Sequence, residues 1–446
     1  MKKVLVSLVV VVLLLTVFAQ AKSAEPLFVK GDVAISQPDI VPNEFIVGFK
    51  EGVNIQAKSK ALENVGQGKL KRLGLKNFAV FELPNGKTLD SIKGLLLNDP
   101  DIAYVEPNYV AHAFGVPNDP YFSPYQWDLY DYGMPSNGYA SNYGIQAVSA
   151  WNITRGAGVK VAIIDTGVAY ENYTDPVTGT QYALAPDLAN TKFDTANAYD
   201  FVNNDTHAND DEGHGTHVCG TIAQSTNNGL GCAGIAYEAT ILPIKVLDSS
   251  GSGTYDAIAN GIIWAADHGA RVINMSLGGS QGSTTLYNAI KYAYNKGVVI
   301  VCAAGNDGRP QVSYPAAYTE CIAVGATRFD GSRVRYSNYG SALDIVAPGG
   351  DTSVDQNKDG YGDGILQQTF SGSPTNFGYY FYQGTSMATP HVAGVAALVL
   401  SVHPEFTNEQ VRTALQSTAK DLGTKGWDKY FGYGLVNAYG AVNWKP

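Results

Sequence analysis

Six short, mostly apolar runs recur along the chain, at residues 159–164, 241–247, 271–277, 298–303, 321–326 and 343–347. A strand with one wet face alternates apolar and polar residues; a continuous apolar run must be buried on both faces. Between several of these runs lie helical stretches, at 255–269 and 285–296. Repeated strand–helix units join parallel strands through crossover helices, so the expected fold is α/β, a mostly parallel sheet flanked by helices. Sites in such sheets gather beyond the carboxyl ends of the strands. Asp165, the run Ser276-Leu277-Gly278 and Asn306 all fall at such ends.

Those ends carry chemistry. Near the C-terminus the chain reads Gly384-Thr385-Ser386-Met387-Ala388-Thr389-Pro390-His391-Val392-Ala393-Gly394, a small hydroxyl residue where a loop enters an apolar helix from about Met387. A serine hydroxyl is a weak nucleophile until a base takes its proton. Gly213-His214-Gly215-Thr216-His217-Val218 offers such a base, and Val161-Ala162-Ile163-Ile164-Asp165-Thr166-Gly167 ends in a carboxylate. Zinc held by His214 and His217 is disfavoured, because the Glu of His-Glu-x-x-His is missing. Pro390 is expected in the first turn of its helix, where no backbone donor is needed.

With the order Asp, His, Ser and an eleven-residue run around Ser386, the sequence resembles the subtilisin-like serine proteases. The resemblance implies that Ser386 is the nucleophile, His214 the general base and Asp165 its orienting acid. His217 and His391 then read as structural. Asn306, in Ala303-Ala304-Gly305-Asn306-Asp307-Gly308, is similar to the family's oxyanion-hole side chain. Gly251-Ser252-Gly253 and Ser276-Leu277-Gly278 resemble the two segments that flank an extended peptide substrate, with Ala304 and Gly305 completing the first pocket. No charge lines that pocket, so apolar or aromatic residues are expected before the scissile bond. Rival readings are an inactive binding protein that keeps the fold, an esterase, for which the Gly-x-Ser-x-Gly elbow is missing, and a metallopeptidase.

The chain has 446 residues, enough for one large core and a small accessory domain. Its net charge of −10 is a poor match for nucleic acid or an anionic membrane. Lys2 and Lys3, an apolar run over 4–19 and the small residues Ala19, Ala21, Ser23 and Ala24 describe a secretory signal peptide over 1–24. That run is shorter than the ~20 apolar residues of a retained membrane anchor. A secreted, extracellular monomer is therefore expected. Residues 25–113 mix strands and two helices, and the block from about 41 to 110 fits a small ferredoxin-like α+β module. It resembles the family's inhibitory propeptide, implying a zymogen cut autocatalytically near residues 111–115. The catalytic domain would span 114–446.

Calcium is the expected cofactor. Asp355, Asn357, Asp359, Tyr361 and Asp363 lie in the pattern D-x-N-x-D-G-x-x-D, oxygen side chains around a tight glycine turn, although Leu366 replaces the Glu of an EF-hand. By resemblance, Asp187 with Asn228, and Asp200 with Asn203 and Asp205, are two further calcium loops. The four cysteines allow three pairings, of which Cys219–Cys232 and Cys302–Cys321 are favoured.

Overall fold

The computed structural model describes residues 40–109, 116–136 and 139–446. The expected signal peptide and the junction at 111–115 lie outside the described residues. By internal contacts the chain divides into two units, one over Val33–Phe114 and the other holding Gly115–Pro446.

In the small unit, strands β1 (Ile40–Phe49), β2 (Lys69–Leu73), β3 (Phe78–Glu82) and β4 (Ile102–Tyr109) form an antiparallel sheet in the order β2-β3-β1-β4. Helices α1 (Ile55–Asn64) and α2 (Leu89–Leu97) connect them. Asn54 caps α1 by accepting from Ala57 N, and Thr88 and Ser91 form a capping box on α2. Phe45, Val47 and Phe49 alternate along β1 and bury one face with Leu62, Ile92 and Leu96 from the two helices. Each such side chain contributes about 1.5–3 kcal/mol. The sequence reading missed β2. It is an edge strand of composition Lys-Leu-Lys-Arg-Leu, exposed except at Leu70, so it lacks apolar alternation.

In the large unit, eight strands make one parallel sheet. One of its inner strands is β5 (Lys160–Asp165). The short strands β6 (Lys192–Phe193) and β7 (Tyr199–Asp200) both pair with β8 (Thr240–Lys245) at one edge. Next come β9 (Val272–Met275), β10 (Val299–Ala303), β11 (Ile322–Thr327) and β12 (Ile345–Pro348). The order is β6-β8-β5-β9-β10-β11-β12. Six of the eight are the apolar runs read from sequence, shifted by a residue or two.

Alternate residues of β5 feed opposite cores, Val161 and Ile163 one layer, Ala162 and Ile164 the other. Helices α3 (His214–Ala223) and α6 (Thr385–Val402) cover the first face. Helices α4 (Tyr255–Asp267) and α5 (Thr284–Asn295) cover the second. Among the described helices α6 alone is long and apolar enough to cross a membrane, but 83% of it is buried in this fold, as a helix apolar all round must be.

A hairpin of β13 (Ile365–Phe370) and β14 (Phe377–Tyr382) runs directly into the Ser386 segment and was not foreseen. Gln367, Gln368 and Thr369 are buried in β13, so it has no apolar signature. Their side chains serve the surroundings: Gln368 Oε1 accepts from Asp187 N at 2.7 Å, and Thr369 Oγ1 donates to Gly213 O at 2.5 Å.

The expected disulfides are not formed, and all four cysteines are buried free thiols. Cys219 faces the core layer shared by α3 and α6, whereas Cys232 belongs to a separate cluster with Leu366, Tyr379 and Phe381. Cys302 and Cys321 share the other layer. Such buried thiols pack as small apolar groups.

Candidate active site

Asp165 ends β5 and His214 begins α3. What joins them is close backbone approach. A Cβ on Gly215 would sit 2.1 Å from Gly167 O, so only glycine lets the helix start abut the turn after Asp165. His214 Nδ1 lies 2.7 Å from Asp165 Oδ1, which also accepts from Thr166 N. Asp165 is fully buried. Burial works against a charged imidazole, but the Asp165 carboxylate outweighs it by charge and hydrogen bond, helped by Glu212 and Asp210. The His214 pKa is held up to about 9.

Two residues that hold this pair escaped the sequence reading. Asp210 accepts from Thr166 Oγ1, Thr216 Oγ1 and the amides of Gly213 and Thr216, clamping strand end to helix start. Lys245, almost fully buried, donates to Thr166 O, Leu247 O and Asp211 Oδ1 at 2.6–2.7 Å. An Asp three residues before the glycine that precedes a helix was the available signal for Asp210. Nothing in the sequence marks a buried lysine.

Ser386 is the second residue of α6, not a residue before it. Pro390 is therefore the sixth residue of the helix, beyond the first turn, which corrects the expectation above. Having no N–H, it leaves Ser386 O without its i+4 helical donor. Ser276 Oγ fills the gap, donating to Ser386 O at 2.8 Å, and is itself held by Asn274 Nδ2 at 3.1 Å. Ser386 Oγ in turn donates to Ser276 O at 3.1 Å. Ser386 and His214 line one cavity, together with Glu212, Asn306, Tyr382, Gln383 and Met387. The resting hydroxyl is thus bonded to a backbone carbonyl, and catalytic hydrogen bonds often tighten only when substrate is bound.

Asn306 Oδ1 accepts from both Thr385 N and Thr385 Oγ1 at 2.9 Å. Its carbonyl is thereby anchored, and its Nδ2 is left to face the cavity. Ser386 N and Asn306 Nδ2 both lie beside Gly384, 3.5 Å and 3.6 Å from where a Cβ on it would sit, so the two donors that an oxyanion would need are gathered at this turn.

Strands β8 and β9 both neighbour β5, so the loops that follow them flank Asp165. The first holds Gly251, Ser252 and Gly253 in an exposed turn closed by Asp248 N donating to Ser252 O at 2.8 Å. The second holds Ser276, Leu277 and Gly278, and continues to Gly279, which pairs backbone to backbone with Tyr314. Ala304 is buried, and Gly305 follows it at φ +105°.

The three acidic loops differ. Asp187 is fully buried, with Oδ1 accepting from Asn228 Nδ2 and Oδ2 from Cys232 N and Tyr379 OH. Asp119, absent from the sequence reading, accepts from the amides of Asn227 and Asn228 in the same loop. Burial pushes these carboxyls up, Asp187 to about 8 and Asp119 to about 6. Asp200 closes its own turn, accepting from Val202 N, Asn203 N and Asn203 Nδ2, while Asp205 Oδ1 accepts from His207 N. In the 355–363 loop, Asp355 accepts from the amides of Asp359 and Gly360, and Asp359 from Tyr361 N. The Tyr361 ring packs against Tyr125 and Phe381, so this residue offers the loop only its carbonyl. Asp363 is buried, and its Oδ1 has no hydrogen-bond partner among the described residues. No group of three or more His, Cys, Asp or Glu side chains among the described residues is arranged to hold a metal ion. A cation in any of these loops would draw on backbone and amide oxygens as well.

His217 and His391 are structural, as expected. His217 Nε2 faces Ile365 O and Tyr380 O at 3.1 Å, and burial lowers its pKa to about 3. His391 spans Met387 O and the buried Asp128.

Comparison with known proteins agrees with this geometry. Residues 156–434 match the model of the subtilase family, and residues 29–108 match that of the fervidolysin N-terminal prodomain. The chain is 41% identical over 408 residues to a thermophilic serine proteinase of Bacillus sp. (strain AK1), covering 91% of this chain and 88% of that one. It is 42% identical over 328 residues to thermitase of Thermoactinomyces vulgaris, covering 74% of this chain and 99% of that one. Among solved structures, a protease from Pseudoalteromonas arctica superposes with a TM-score of 0.61 at 34% identity, covering 73% of this chain and 98% of that one.

Proposed function

The chain belongs to the subtilase family, and from that premise we propose how its residues divide the work of a serine endopeptidase made as a zymogen. The activity is peptide hydrolysis through an acyl-enzyme, and the prodomain is the intramolecular partner of the catalytic unit. The observation that carries the assignment of roles is the cavity shared by His214, Ser386 and Asn306, with Asp165 behind the imidazole.

Ser386 Oγ attacks the scissile carbonyl as His214 takes its proton. Ser386 N and Asn306 Nδ2 receive the negative charge that develops on the carbonyl oxygen. His214 then passes the proton to the departing amine, and Asp165 stabilises the imidazolium throughout. The substrate lies extended between the 251–253 and 276–278 segments, adding a strand through backbone bonds. Uncharged walls at 276–278 and 303–306 support a preference for apolar or aromatic residues before the scissile bond. A peptide-anilide panel that favours Arg or Glu at that place would exclude the preference.

We assign residues 1–24 to a signal peptide, so that the enzyme acts outside the cell. Residues 25–113 are the propeptide, its strand order β2-β3-β1-β4 with two helices supporting a ferredoxin-like module, and 114–446 the catalytic domain. Calcium is a structural cofactor in this reading. The donor chemistry fits best at the 355–363 loop, where Asp355, Asn357, Asp359 and Asp363 would hold the ion and the unpartnered Asp363 Oδ1 gains a ligand. Bound there, the ion supplies positive charge to a carboxylate cluster.

Intact mass tests the assignment. Expressed from residue 25, the wild type loses about 90 residues by self-processing, and S386A stays full length. If both keep the prodomain in calcium, Ser386 is not a working nucleophile; if both lose it alike, cleavage does not depend on Ser386.

A further inference from the structure

Helix α6 starts without a side-chain cap. A Ser or Asp at its N-cap would take the amide of the second or third helical residue. The second is Ser386, whose N–H the mechanism above keeps for the developing oxyanion. Gly384, at φ +151°, offers no side chain to take that donor. It also gives the turn into α6 nothing of its own to hold it, so the hold must come from elsewhere in the fold.

It comes from two sides. On one, Asn306 Oδ1 accepts from Thr385 N and Thr385 Oγ1. On the other lies the segment leaving β12. Gly349 O accepts from Gly384 N at 3.0 Å. Thr352 N and Thr352 Oγ1 both donate to Gln383 Oε1, at 2.7 and 2.9 Å. This segment is fixed in its turn. Tyr336 OH reaches Gly349 O and Gly350 O at 2.9 and 2.7 Å, and Asp351 N donates to Asp363 O at 2.9 Å. Thr352 is therefore a firm point from which the Gln383 carboxamide is held, next to the turn that carries the nucleophile.

Resting on the acyl-enzyme reading above, we propose that Thr352 is a positioning residue for the reaction. By holding Gln383 it fixes the Gln383–Gly384 backbone, and with it the direction of the Ser386 N–H. Thr352 is not among the residues that line the Ser386 cavity, whereas Gln383 is, so Thr352 acts through Gln383. A planar ground-state carbonyl asks little of that N–H direction. The tetrahedral adduct, with its full negative charge, depends on it. Loosening the brace thus slows the chemical step and leaves substrate binding nearly as it was.

Valine at this position keeps the size of threonine and removes the hydroxyl arm of the brace; serine keeps the arm. On a peptide anilide, T352V should lower kcat about tenfold with KM within about twofold of the wild type, and T352S should keep most of the wild-type rate. A peptide boronic acid gives a separate readout, because its tetrahedral adduct on Ser386 places an oxygen where the oxyanion forms. It should bind T352V about tenfold more weakly, in step with kcat/KM. A role in stability alone would not weaken the boronic acid while sparing KM. Should T352V not fold, Q383M breaks the same brace from its other end and should show the same pair of losses. A kcat that these variants leave unaltered, an equal loss in T352S, or a loss that the boronic acid does not register overturns the positioning role. A wild type that neither binds the boronic acid nor turns over the anilide overturns the acyl-enzyme reading itself.

Discussion

The catalytic floor and the 355–363 loop both end in aspartates, yet they are held in opposite ways. On the floor, side chains from distant strands and helices fix one another: Asp210 clamps Thr166 to α3, Ser276 from the end of β9 holds the Ser386 carbonyl, and Lys245 binds the turn after Asp165. In the loop, Asp355, Asn357 and Asp359 bond mainly to amides within five residues of themselves, and Asp363 keeps one buried oxygen without a partner. The floor is preorganised by the fold, so it is ready before substrate arrives. The loop is shaped by its own backbone and leaves a charge for something else to satisfy. The floor is rigid by tertiary contact, whereas under the proposed calcium reading the loop would be completed by the ion.

Breaking the floor should cost far more than breaking the loop. Replacing Asn306 by Ala removes one oxyanion donor, so kcat falls by about 10²–10³, as in subtilisin, with KM nearly constant. An unaltered kcat would remove Asn306 from the mechanism. The His214 environment sets the next largest effect. Asp165 favours the imidazolium, which cannot accept the serine proton, so activity is lost as pH falls through the raised pKa. The acid limb of kcat/KM should lie above the ordinary histidine value of 6.5, toward about 9, with a slope of about tenfold per pH unit. A limb at or below 6.5 would contradict this electrostatic account.

Ser276 sharpens the comparison because its partner is defined by a proline. S276A takes from the partly buried Ser386 carbonyl the side-chain donor that replaces its helical one and should lower stability by about 1 kcal/mol in denaturant unfolding. P390A restores a helical N–H to that carbonyl, so adding it to S276A should recover part of the loss; strict additivity of the two substitutions would show that they do not share a partner. The loop predicts the smallest change. Calcium at 100-fold above its Kd should stabilise the wild type by about 2.7 kcal/mol. D363N should remove most of the increment in Tm that calcium gives. The same increment in D363N would place the ion at another loop.

The site was legible in the sequence to the extent that its residues are local. Asp165, His214 and Ser386 each sit in a short run with its own turn or helix start, and the βα repeat places such runs at strand ends. The buried hairpin β13–β14 was not legible, because Gln367, Gln368 and Thr369 point polar groups at partners 134 to 181 residues away. Lys245 and Asp119 were missed for the same reason. The cysteines were misread in the other direction, since spacing and export permit disulfides but only the core layers show where each thiol faces.

By itself, then, the sequence determined the alternation of strand and helix, the chain order of the three catalytic residues and the glycines that allow close approach. These follow from local preference and steric size. The tertiary structure alone decided that Pro390 frees a carbonyl for Ser276 and that Glu212 lines the cavity while Asp210 and Asp211 do not. Those outcomes depend on which buried groups find partners across the fold, and hydrogen bonds between residues far apart in the chain leave no period or motif to read.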